Sequence, residues 1–364
     1  MNEHHEKELS SLNITMRLTR RILFFLVSLV VFGAFMVLLV ALGLYQFGYR
    51  PLASESEEIR LAHWGGAEKD RPDRPELRIL SLNLNYGAGA RHLDLEAGEA
   101  HLLDQAEVTA RLDRLAQVVS ELDIDVLMLQ QVDFNSEFGG YFDQAKYLAR
   151  RLRFGYLARA YSWKHPYAPF PDPLRNKMLG PVESGMAVIA RVPVLKSSRF
   201  SLPSATFDDW WQTTFAPTYC LQMVELAVRD QQLRLFQTHL TNRSSLDRER
   251  QGRAVAALVG RESLGKSLLV GTLGAEPPDI RVADAAKPRD NTVPLVRHRM
   301  NFQTGISDSE LLDNPAHETF TNGEGSYVFD YALAEKGLRI TSREVVAMPE
   351  DVSPHKGLLV ELTL

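Results

Sequence analysis

The chain has 364 residues, of which 45% are hydrophobic and 24% are charged, and its formal net charge at pH 7 is −5. This is an ordinary globular composition, with enough apolar residues for one large core or two modest ones. The mild negative charge does not support a nucleic-acid partner, because such partners are usually bound by a basic surface. Cys220 is the only cysteine, which excludes a disulfide framework and a cysteine zinc site.

The first predicted element is a transmembrane helix at residues 22–45. A polar segment, residues 1–21, precedes this uncharged apolar run, and about 20 apolar residues are enough to span a bilayer as a helix. A cleaved signal peptide is the alternative, although its apolar region usually has only about 7–15 residues. Because Lys7 and three arginines precede the run, the positive-inside rule predicts a cytoplasmic N-terminus and an extracytoplasmic remainder. In a Gram-negative bacterium, the remainder would face the periplasm.

The rest of the chain is predicted to be a linker and one domain. Residues 46–76 are rich in Glu, Arg, Pro and Gly and show little periodicity, which predicts a flexible linker. From residue 77 to residue 364, strand-like and helix-like segments alternate without another linker. This alternation predicts an α/β domain in which helices cover two packed sheets.

Apolar periodicity predicts the elements of this domain. A first strand at Leu77–Asn85 is followed by an amphipathic helix and a buried strand at Asp125–Asp133. Arg159–Pro181 is crowded with proline and aromatic residues and is predicted to be a long loop. Ser244 and Asp247 have the spacing of a helix N-cap. The remaining predicted elements are helices at 143–153 and 244–264 and strands at 186–189, 219–228, 233–238, 267–270, 327–333, 338–346 and 358–362.

Seven short motifs follow one another through the domain. They are Leu80–Asn85, Leu129–Gln131, Glu183–Arg191, Thr238–Leu240 with Arg248–Gln251, Gly271–Gly274, Asp330-Tyr331 and Ser353–Gly357. In order and spacing they resemble the motifs of the endonuclease/exonuclease/phosphatase (DNase I-like) superfamily. The resemblance implies a four-layered α/β sandwich and hydrolysis of phosphodiesters or phosphomonoesters with Mg²⁺ or Mn²⁺.

The resemblance also implies roles for the polar residues that remain at family positions. His355, Asp330 and His239 stand at positions of the family's catalytic groups. In the family, the residues at the positions of Asp330 and His355 form an Asp–His pair. Asn83, Asn85 and His239 would contact a phosphate or another ligand. A paired Asp favours a protonated imidazole, which suits His355 to hold a phosphate or act as an acid.

Four positions depart from the family pattern. Gln131 replaces the Glu that binds the metal, Thr272 and Gly274 replace an Asp and an Asn, and Pro354 replaces the Asp before the terminal His. Mg²⁺ is usually bound through at least one carboxylate. The sequence therefore predicts a degenerate metal site in a protein that binds a phosphorylated ligand or a protein partner near the membrane, with no cofactor.

Relocated metal ligands would give a different function. Asp133 lies two residues beyond Gln131, on the same strand face if the strand continues. Glu183 and Glu276 also lie close to motif positions. If these carboxylates converge, the expected function is a Mg²⁺- or Mn²⁺-dependent phosphodiester or phosphomonoester hydrolase. A third alternative, a membrane-tethered structural domain, requires the crevice at Gln131 to be closed.

Overall fold

The computed structural model describes residues 2–48, 50–61, 76–89, 103–172, 177–229, 231–278, 290–300 and 302–363. The chain forms two compact units, Met1–Gly48 and Tyr49–Leu364. The first is a helix, α1 (Asn2–Phe47), which also includes most of the predicted polar segment. Within its stretch Met16–Gly43, an 18-residue window reaches a mean hydropathy of 3.0. The helix is therefore long and apolar enough to cross a membrane, as either an anchor or a signal sequence.

The second unit contains two seven-stranded mixed sheets with flanking helices, which confirms the predicted α/β class. Its strands are β1 Ser54–Ser56, β2 Ile59–Leu61, β3 Glu76–Asn83, β4 Val126–Asp133, β5 Tyr156–Asp172, β6 Lys177–Ala190, β7 Val194–Ser201, β8 Cys220–Val228, β9 Gln231–His239, β10 Ser267–Thr272, β11 Phe302–Gln303, β12 Phe320–Asn322, β13 Gly325–Tyr327, β14 Asp330–Glu335, β15 Arg339–Val346 and β16 Gly357–Thr363. Its helices are α2 Gln105–Glu121, α3 Gln144–Leu152, α4 Trp210–Phe215, α5 Ser245–Glu262, α6 Thr292–Met300 and α7 Asp308–Asp313.

The strand order brings several strand ends together. One sheet has the order β15-β16-β3-β4-β6-β5-β2, the other has the order β1-β7-β8-β9-β10-β14-β11, and β12 and β13 form a separate hairpin. β3 is parallel to β4 and β9 is parallel to β10, whereas β14 and β16 are antiparallel to their neighbours. The ends of the parallel strands and the starts of the antiparallel ones therefore lie at one edge, where ligands of α/β proteins commonly bind.

Apolar side chains alternate between two core layers. Val126 and Met128 of β4 lie in the same buried cluster as Leu268 of β10, which places this cluster between the sheets. The next residue of β10, Leu269, belongs to a second cluster with Val255 of α5. Because successive strand residues point to opposite faces, each sheet packs against the other sheet and against helices. Each fully buried side chain of this size contributes about 1.5–3 kcal/mol.

Part of the predicted linker belongs to the folded unit. Residues 46–76 were expected to be flexible, but β1 pairs with β7 and β2 pairs with β5. These two short strands extend the edges of both sheets. Three-residue strands are too short to show a period in the sequence, so the polar composition dominated the prediction. Residues 62–75 of the predicted linker lie outside the described residues.

The predicted long loop at Arg159–Pro181 is a β-hairpin. Strands β5 and β6 pair from Tyr156 opposite Ala190 to Asp172 opposite Lys177, with three register shifts along the way. Proline removes a hydrogen-bond donor and is tolerated in sheets at edges and bulges. The proline-rich part of β5 lies beyond the short pairing with β2, so it needs a partner on one side only.

Candidate functional site

A cleft of about 470 Å³ opens at the shared strand ends. Gln131 of β4, His239 of β9 and Thr272 of β10 line it, together with His355, which precedes β16. Thr272 is directly opposite His239 on one side and Asp330 on the other in the strand register. The parallel pairing therefore brings together residues that are far apart in the sequence, and the crevice at Gln131 is open.

A β-bulge directs the Gln131 side chain into the cleft. The register of β4 against β6 shifts between Leu129 and Val132, and Gln131 has a positive φ of 49°. Its neighbour Gln130 is fully buried and donates from Nε2 to Gln237 Oε1 at 2.9 Å. A bulge changes the direction of one side chain relative to simple alternation. Because of the bulge, Gln130 lies in the core, whereas Gln131 lines the cleft.

A hydrogen-bond network connects four of the family positions. Asn83 Nδ2 donates to Thr272 Oγ1 (3.1 Å), and Thr272 Oγ1 donates to Asp330 Oδ1 (2.6 Å). The other carboxylate oxygen, Asp330 Oδ2, lies 2.8 Å from His355 Nδ1. A second carboxylate at position 272 would repel Asp330, whereas the threonine hydroxyl donates to it. Asp330 and His355 are therefore hydrogen-bonded to each other, as the resemblance implied. The neutral Thr272 donates to the second carboxylate oxygen of Asp330.

The charges of this network are set by burial and by its partners. Burial of Asp330 would raise its pKa, but the His355 ring and hydrogen bonds from His355, Thr272 and Thr319 hold the pKa below its ordinary value. Burial lowers the pKa of His239 to about 4, and the nearby His355 acts in the same direction. Near neutral pH, Asp330 is a carboxylate and His239 is a neutral imidazole that can accept or donate a hydrogen bond.

The loop that carries His355 is bonded to the end of β3. Ser353 Oγ donates to the backbone oxygen of Asn83 at 2.6 Å, and the His355 N–H donates to Ser353 Oγ at 3.0 Å. Pro354 stands between them, and its carbonyl oxygen accepts a hydrogen bond from the Thr321 N–H (3.2 Å). The proline at the family Asp position therefore has a backbone role in joining this loop to the β12–β13 hairpin.

Aromatic rings form one side of the cleft. The Phe320 and Phe329 rings stack with their centroids 5.3 Å apart, and the His355 ring centroid lies 4.7 Å from that of Phe320. Both phenylalanines line the cleft, and Phe320 forms a β-bridge with His355. The His355 imidazole is therefore fixed by Asp330 at one nitrogen and by ring packing against its face.

Arg248 occupies the space beside Gly274. A Cβ at Gly274 would lie 3.3 Å from Arg248 Cδ, and Gly274 has a positive φ of 66°. Arg248 donates from Nε to Asp290 Oδ2 (2.9 Å) and from Nη1 to the Thr241 oxygen (3.3 Å). The position of the family Asn thus carries no side chain here, and an arginine from α5 lines the cleft nearby. The capped start of α5 is confirmed, because the Asp247 N–H donates to Ser244 Oγ.

Asn83 and Asn85 have different positions relative to the cleft. Asn85 lines it and donates from Nδ2 to the Gly89 oxygen at 3.1 Å. Asn83 is 1% exposed, and its Oδ1 accepts from the Asn85 N–H at 3.0 Å. Asn83 therefore supports Thr272 and Asn85 from beneath, while Asn85 is the asparagine that can reach a ligand. Asp330 likewise lies behind His355, with 4% of its surface exposed.

The carboxylate of Asp133 faces away from the cleft. Its Oδ1 accepts from the Ser136 N–H at 3.0 Å, and a Cβ added to Gly139 would lie 1.7 Å from Oδ2. Burial raises the pKa of Asp133 to about 8. The sequence argument placed Asp133 on the same face as Gln131 if the strand continued, but the bulge at Gln131 interrupts the alternation.

The other two acids proposed as relocated ligands are also outside the cleft lining. Glu183 of β6 forms an ion pair with Lys164 of β5, with 3.2 Å between Oε1 and Nζ. Glu276 follows β10 and is exposed. Neither lies among the residues that line the cleft. Asp133, Glu183 and Glu276 are thus all absent from the lining of the cleft that contains Gln131.

The donor set of the cleft does not fit a divalent metal ion. The part of the chain that the structure describes contains no group of three or more His, Cys, Asp or Glu side chains placed to hold a metal. Gln131 offers only an amide oxygen, and the Thr272 hydroxyl is already bonded to Asn83 and Asp330. Mg²⁺ prefers oxygen ligands that include carboxylates, and the described lining of the cleft supplies none.

Comparison with known proteins agrees with the strand order and the positions of these motifs. A model of the Endonuclease/Exonuclease/phosphatase family matches residues 80–355. The chain belongs to this family. The match includes the first-strand motif and ends at His355, which confirms the resemblance seen in the sequence. No curated protein matches the chain in sequence.

Several solved structures share the fold of this chain. An endonuclease/exonuclease/phosphatase from Beutenbergia cavernae DSM 12333 is 18% identical over 80% of this chain and 72% of its own, with a TM-score of 0.56. A mannosyl-6-phosphatase from Bacteroides thetaiotaomicron VPI-5482 is 13% identical over 79% and 100%, with a TM-score of 0.51. The human Nocturnin catalytic domain with bound sulfate is 18% identical over 84% and 97%, with a TM-score of 0.50. At such identities the likeness shows the fold alone.

Several lining residues carry no clear sequence signal. Phe320 and Asn322 lie on the short β12–β13 hairpin. Ser162 lies within β5, and Thr218 lies just before β8. These residues reach the cleft through tertiary pairing that no local spacing indicates. Arg248 could have been identified as a site residue, because it begins the Arg248–Gln251 motif. That its side chain packs beside Gly274, which has no Cβ, is visible only in the structure.

Proposed function

We propose that the folded unit binds a phosphorylated ligand in this cleft and does not hydrolyse it. The observation that carries the proposal is the set of side chains that line the cleft. Among the lining residues that the structure describes, none is Asp or Glu, whereas Arg248, His239 and His355 are all present. Such a surface favours an anion over a divalent cation, because cationic and N–H groups give strong hydrogen bonds to phosphate oxygens.

His355 is the central binding group in this proposal. Its Nδ1 is bonded to Asp330, which fixes the orientation of the ring and leaves Nε2 as the ring nitrogen available to a phosphate oxygen. Gln131 and Asn85 supply neutral amide donors on the same lining. The Phe320 and Phe329 rings offer apolar area for the organic part of a ligand.

Hydrolysis is the competing function, because it is the activity that the family resemblance implies. It requires a nucleophilic water and stabilisation of the phosphoryl charge, which metal-dependent enzymes obtain from a bound cation. The neutral residues at positions 131, 272 and 274 oppose this alternative, as does the absence of Asp133, Glu183 and Glu276 from the described lining of the cleft.

We also infer that α1 anchors the protein in a membrane with its N-terminus in the cytoplasm. The support is the uncharged apolar run that begins at Ile22, within the candidate span Met16–Gly43, together with the basic residues that precede Ile22, since such residues usually remain on the cytoplasmic side. The folded unit would then be extracytoplasmic, and its ligand or a protein partner would be met there. A signal sequence would be distinguished by the mass of the mature protein.

Calorimetric titration of the full-length protein with inorganic phosphate tests the binding function. We expect binding by the natural protein and at least a tenfold weaker affinity for His355→Ala, because loss of a hydrogen bond to a charged group costs about 1.5–3 kcal/mol. His317→Ala is the matched control, since His317 pairs with Glu310 and does not line the cleft. Its affinity should equal that of the natural protein.

A turnover assay on the same protein samples tests the competing hydrolase function. A generic phosphodiester is incubated with each protein and with Mg²⁺ or Mn²⁺, and product release is followed. No turnover by a folded protein that binds phosphate supports the proposal. Metal-dependent turnover that His355→Ala abolishes would replace it with the hydrolase function, and absence of phosphate binding would overturn it.

A further inference from the structure

Arg199 of β7 is a fully buried arginine outside the site described above. Its guanidinium donates in three directions: from Nε to the Tyr161 oxygen (2.6 Å), from Nη1 to Ser201 Oγ (2.8 Å) and from Nη2 to Thr218 Oγ1 (3.2 Å). Arginine has five N–H donors in a rigid planar arrangement and no acceptor. It therefore fixes both hydroxyl groups as acceptors toward itself.

Each of these hydroxyls passes its own hydrogen to a carbonyl oxygen. Thr218 Oγ1 donates to the Ser162 oxygen at 2.7 Å, and both residues line the cleft. Ser201 Oγ donates to the Leu52 oxygen, also at 2.7 Å. One arginine thus joins the cleft wall on one side to the segment that begins at Leu52 on the other.

The segment Leu52–Glu57 is held to this edge by more than one contact. The Ser201 N–H donates to the Ala53 oxygen (3.0 Å), and the Glu57 N–H donates to the Ser197 oxygen (2.9 Å). The Glu57 carboxylate is close enough to Arg199 for their charges to interact. The segment includes β1 and follows α1 after a few residues. Its attachment therefore uses the same buried cation that orders the wall.

We propose that Arg199 is a positioning residue that couples the attachment of the segment Leu52–Glu57 to the order of the cleft wall at Ser162 and Thr218. Release of the segment removes the Leu52 acceptor, frees the Ser201 hydroxyl and weakens the hold of Arg199 on Thr218. The wall then loosens and the cleft changes shape. As regulation of ligand binding, this inference rests on the proposed function, but the coupling itself is measurable without a ligand.

Cys220 provides the measurement. It is the only cysteine of the chain, it lines the cleft beside Thr218, and it is 1% exposed. Its alkylation by a thiol reagent therefore reports opening of the wall. The experiment measures the alkylation rate of Cys220 in the full-length protein in detergent micelles, at fixed pH, for the natural protein and for Ser201→Ala.

We expect Ser201→Ala to increase the alkylation rate about fivefold, which corresponds to about 1 kcal/mol, the usual net contribution of one hydrogen bond. Ser120→Ala is the matched control, because Ser120 Oγ also donates to a backbone oxygen, that of Ala116, at 2.7 Å, but on α2. Its rate should not change. Ser201→Thr retains the hydroxyl and should restore the natural rate.

Two comparisons keep the outcome clear. If the unfolding temperature of Ser201→Ala falls no further than that of Ser120→Ala while its alkylation rate rises, the effect is local and the coupling is supported. Equal alkylation rates for both variants would overturn it. Titration of the same samples with inorganic phosphate separates the two proposals, because a natural protein that fails to bind phosphate contradicts the proposed function and leaves the alkylation result unaffected.

Discussion

Asp330 and Asp133 are two buried aspartates at strand ends of the same domain, yet they are in opposite charge states. Asp330 begins β14 and has His355, Thr272 and Thr319 as partners, so its pKa is lowered despite burial. Asp133 ends β4 and has only local hydrogen bonds around Ser136, so burial raises its pKa to about 8. Burial alone therefore does not determine the charge of these carboxyl groups, and the hydrogen-bond partners of Asp330 account for the difference.

The largest effect in this comparison is expected from Asp330→Ala. It leaves the His355 ring and the Thr272 hydroxyl without their acceptor, and each buried polar group left without a partner costs about 1–3 kcal/mol. Urea unfolding of the full-length protein near neutral pH measures this loss. In the double variant with His355→Ala, the loss should be smaller than the sum of the two single losses. An additive result would show that the pair does not act as a unit.

Asp133→Asn is expected to stabilise the protein at high pH. A folded-state pKa of about 8 against an ordinary value of 3.8 means that the unfolded state releases its proton first, so stability falls as pH rises from about 4 to about 8. The asparagine Oδ1 can still accept from the Ser136 N–H. We expect a gain of about 2–3 kcal/mol at pH 9 and little change at pH 4, measured by urea unfolding at both values.

The pH dependence of the two aspartates has opposite signs. Asp330 contributes stability above its ordinary pKa of 3.8, and that contribution is lost as pH falls through its lowered folded-state value. The Asp330→Ala variant should therefore lose less stability as pH falls below about 4, and the Asp133→Asn variant should lose less as pH rises from about 4 to about 8. If both variants changed stability in the same pH range, the assignment of the two charge states would be wrong.

A smaller effect is expected from returning carboxylates to the cleft. Thr272→Asp replaces a donor to Asp330 by a like charge and should cost about 1–2 kcal/mol without metal. When Gln131→Glu is added, Mg²⁺ should raise the unfolding temperature, since ligand at about 100 times its dissociation constant stabilises by about 2.7 kcal/mol. The natural protein should show no such rise. A rise in the natural protein would show that its own donor set binds Mg²⁺.

The sequence predicted more of the fold than of the site. Apolar periodicity located strands such as β4 and β8 and helices such as α5, because their buried faces follow the period of the element. The hairpin β5–β6 was mistaken for a loop, since proline content outweighed a pairing that depends on distant partners. The strands β1 and β2 are too short for any period to appear.

For the site, the identities were predictable and the directions were not. The positions of Gln131, Thr272 and His355 followed from ordered motifs, and the cleft contains all of them. The direction of Asp133 depends on one bulge residue with positive φ, which the sequence letters do not reveal. Arg199 was missed because a single arginine in a strand normally indicates an exposed face, whereas this one is buried by partners from three separate segments.

The placement of β1 and β2 also affects how the domain meets other copies of itself. Without them, β7 and the start of β5 would be the outermost strands at this side of the sandwich, and open strand edges readily pair with neighbouring molecules. The few residues 54–61 cover both edges at once. A fragment that begins at Leu77 would leave these two edges bare, so we expect it to aggregate more readily than a fragment that includes residues 54–61.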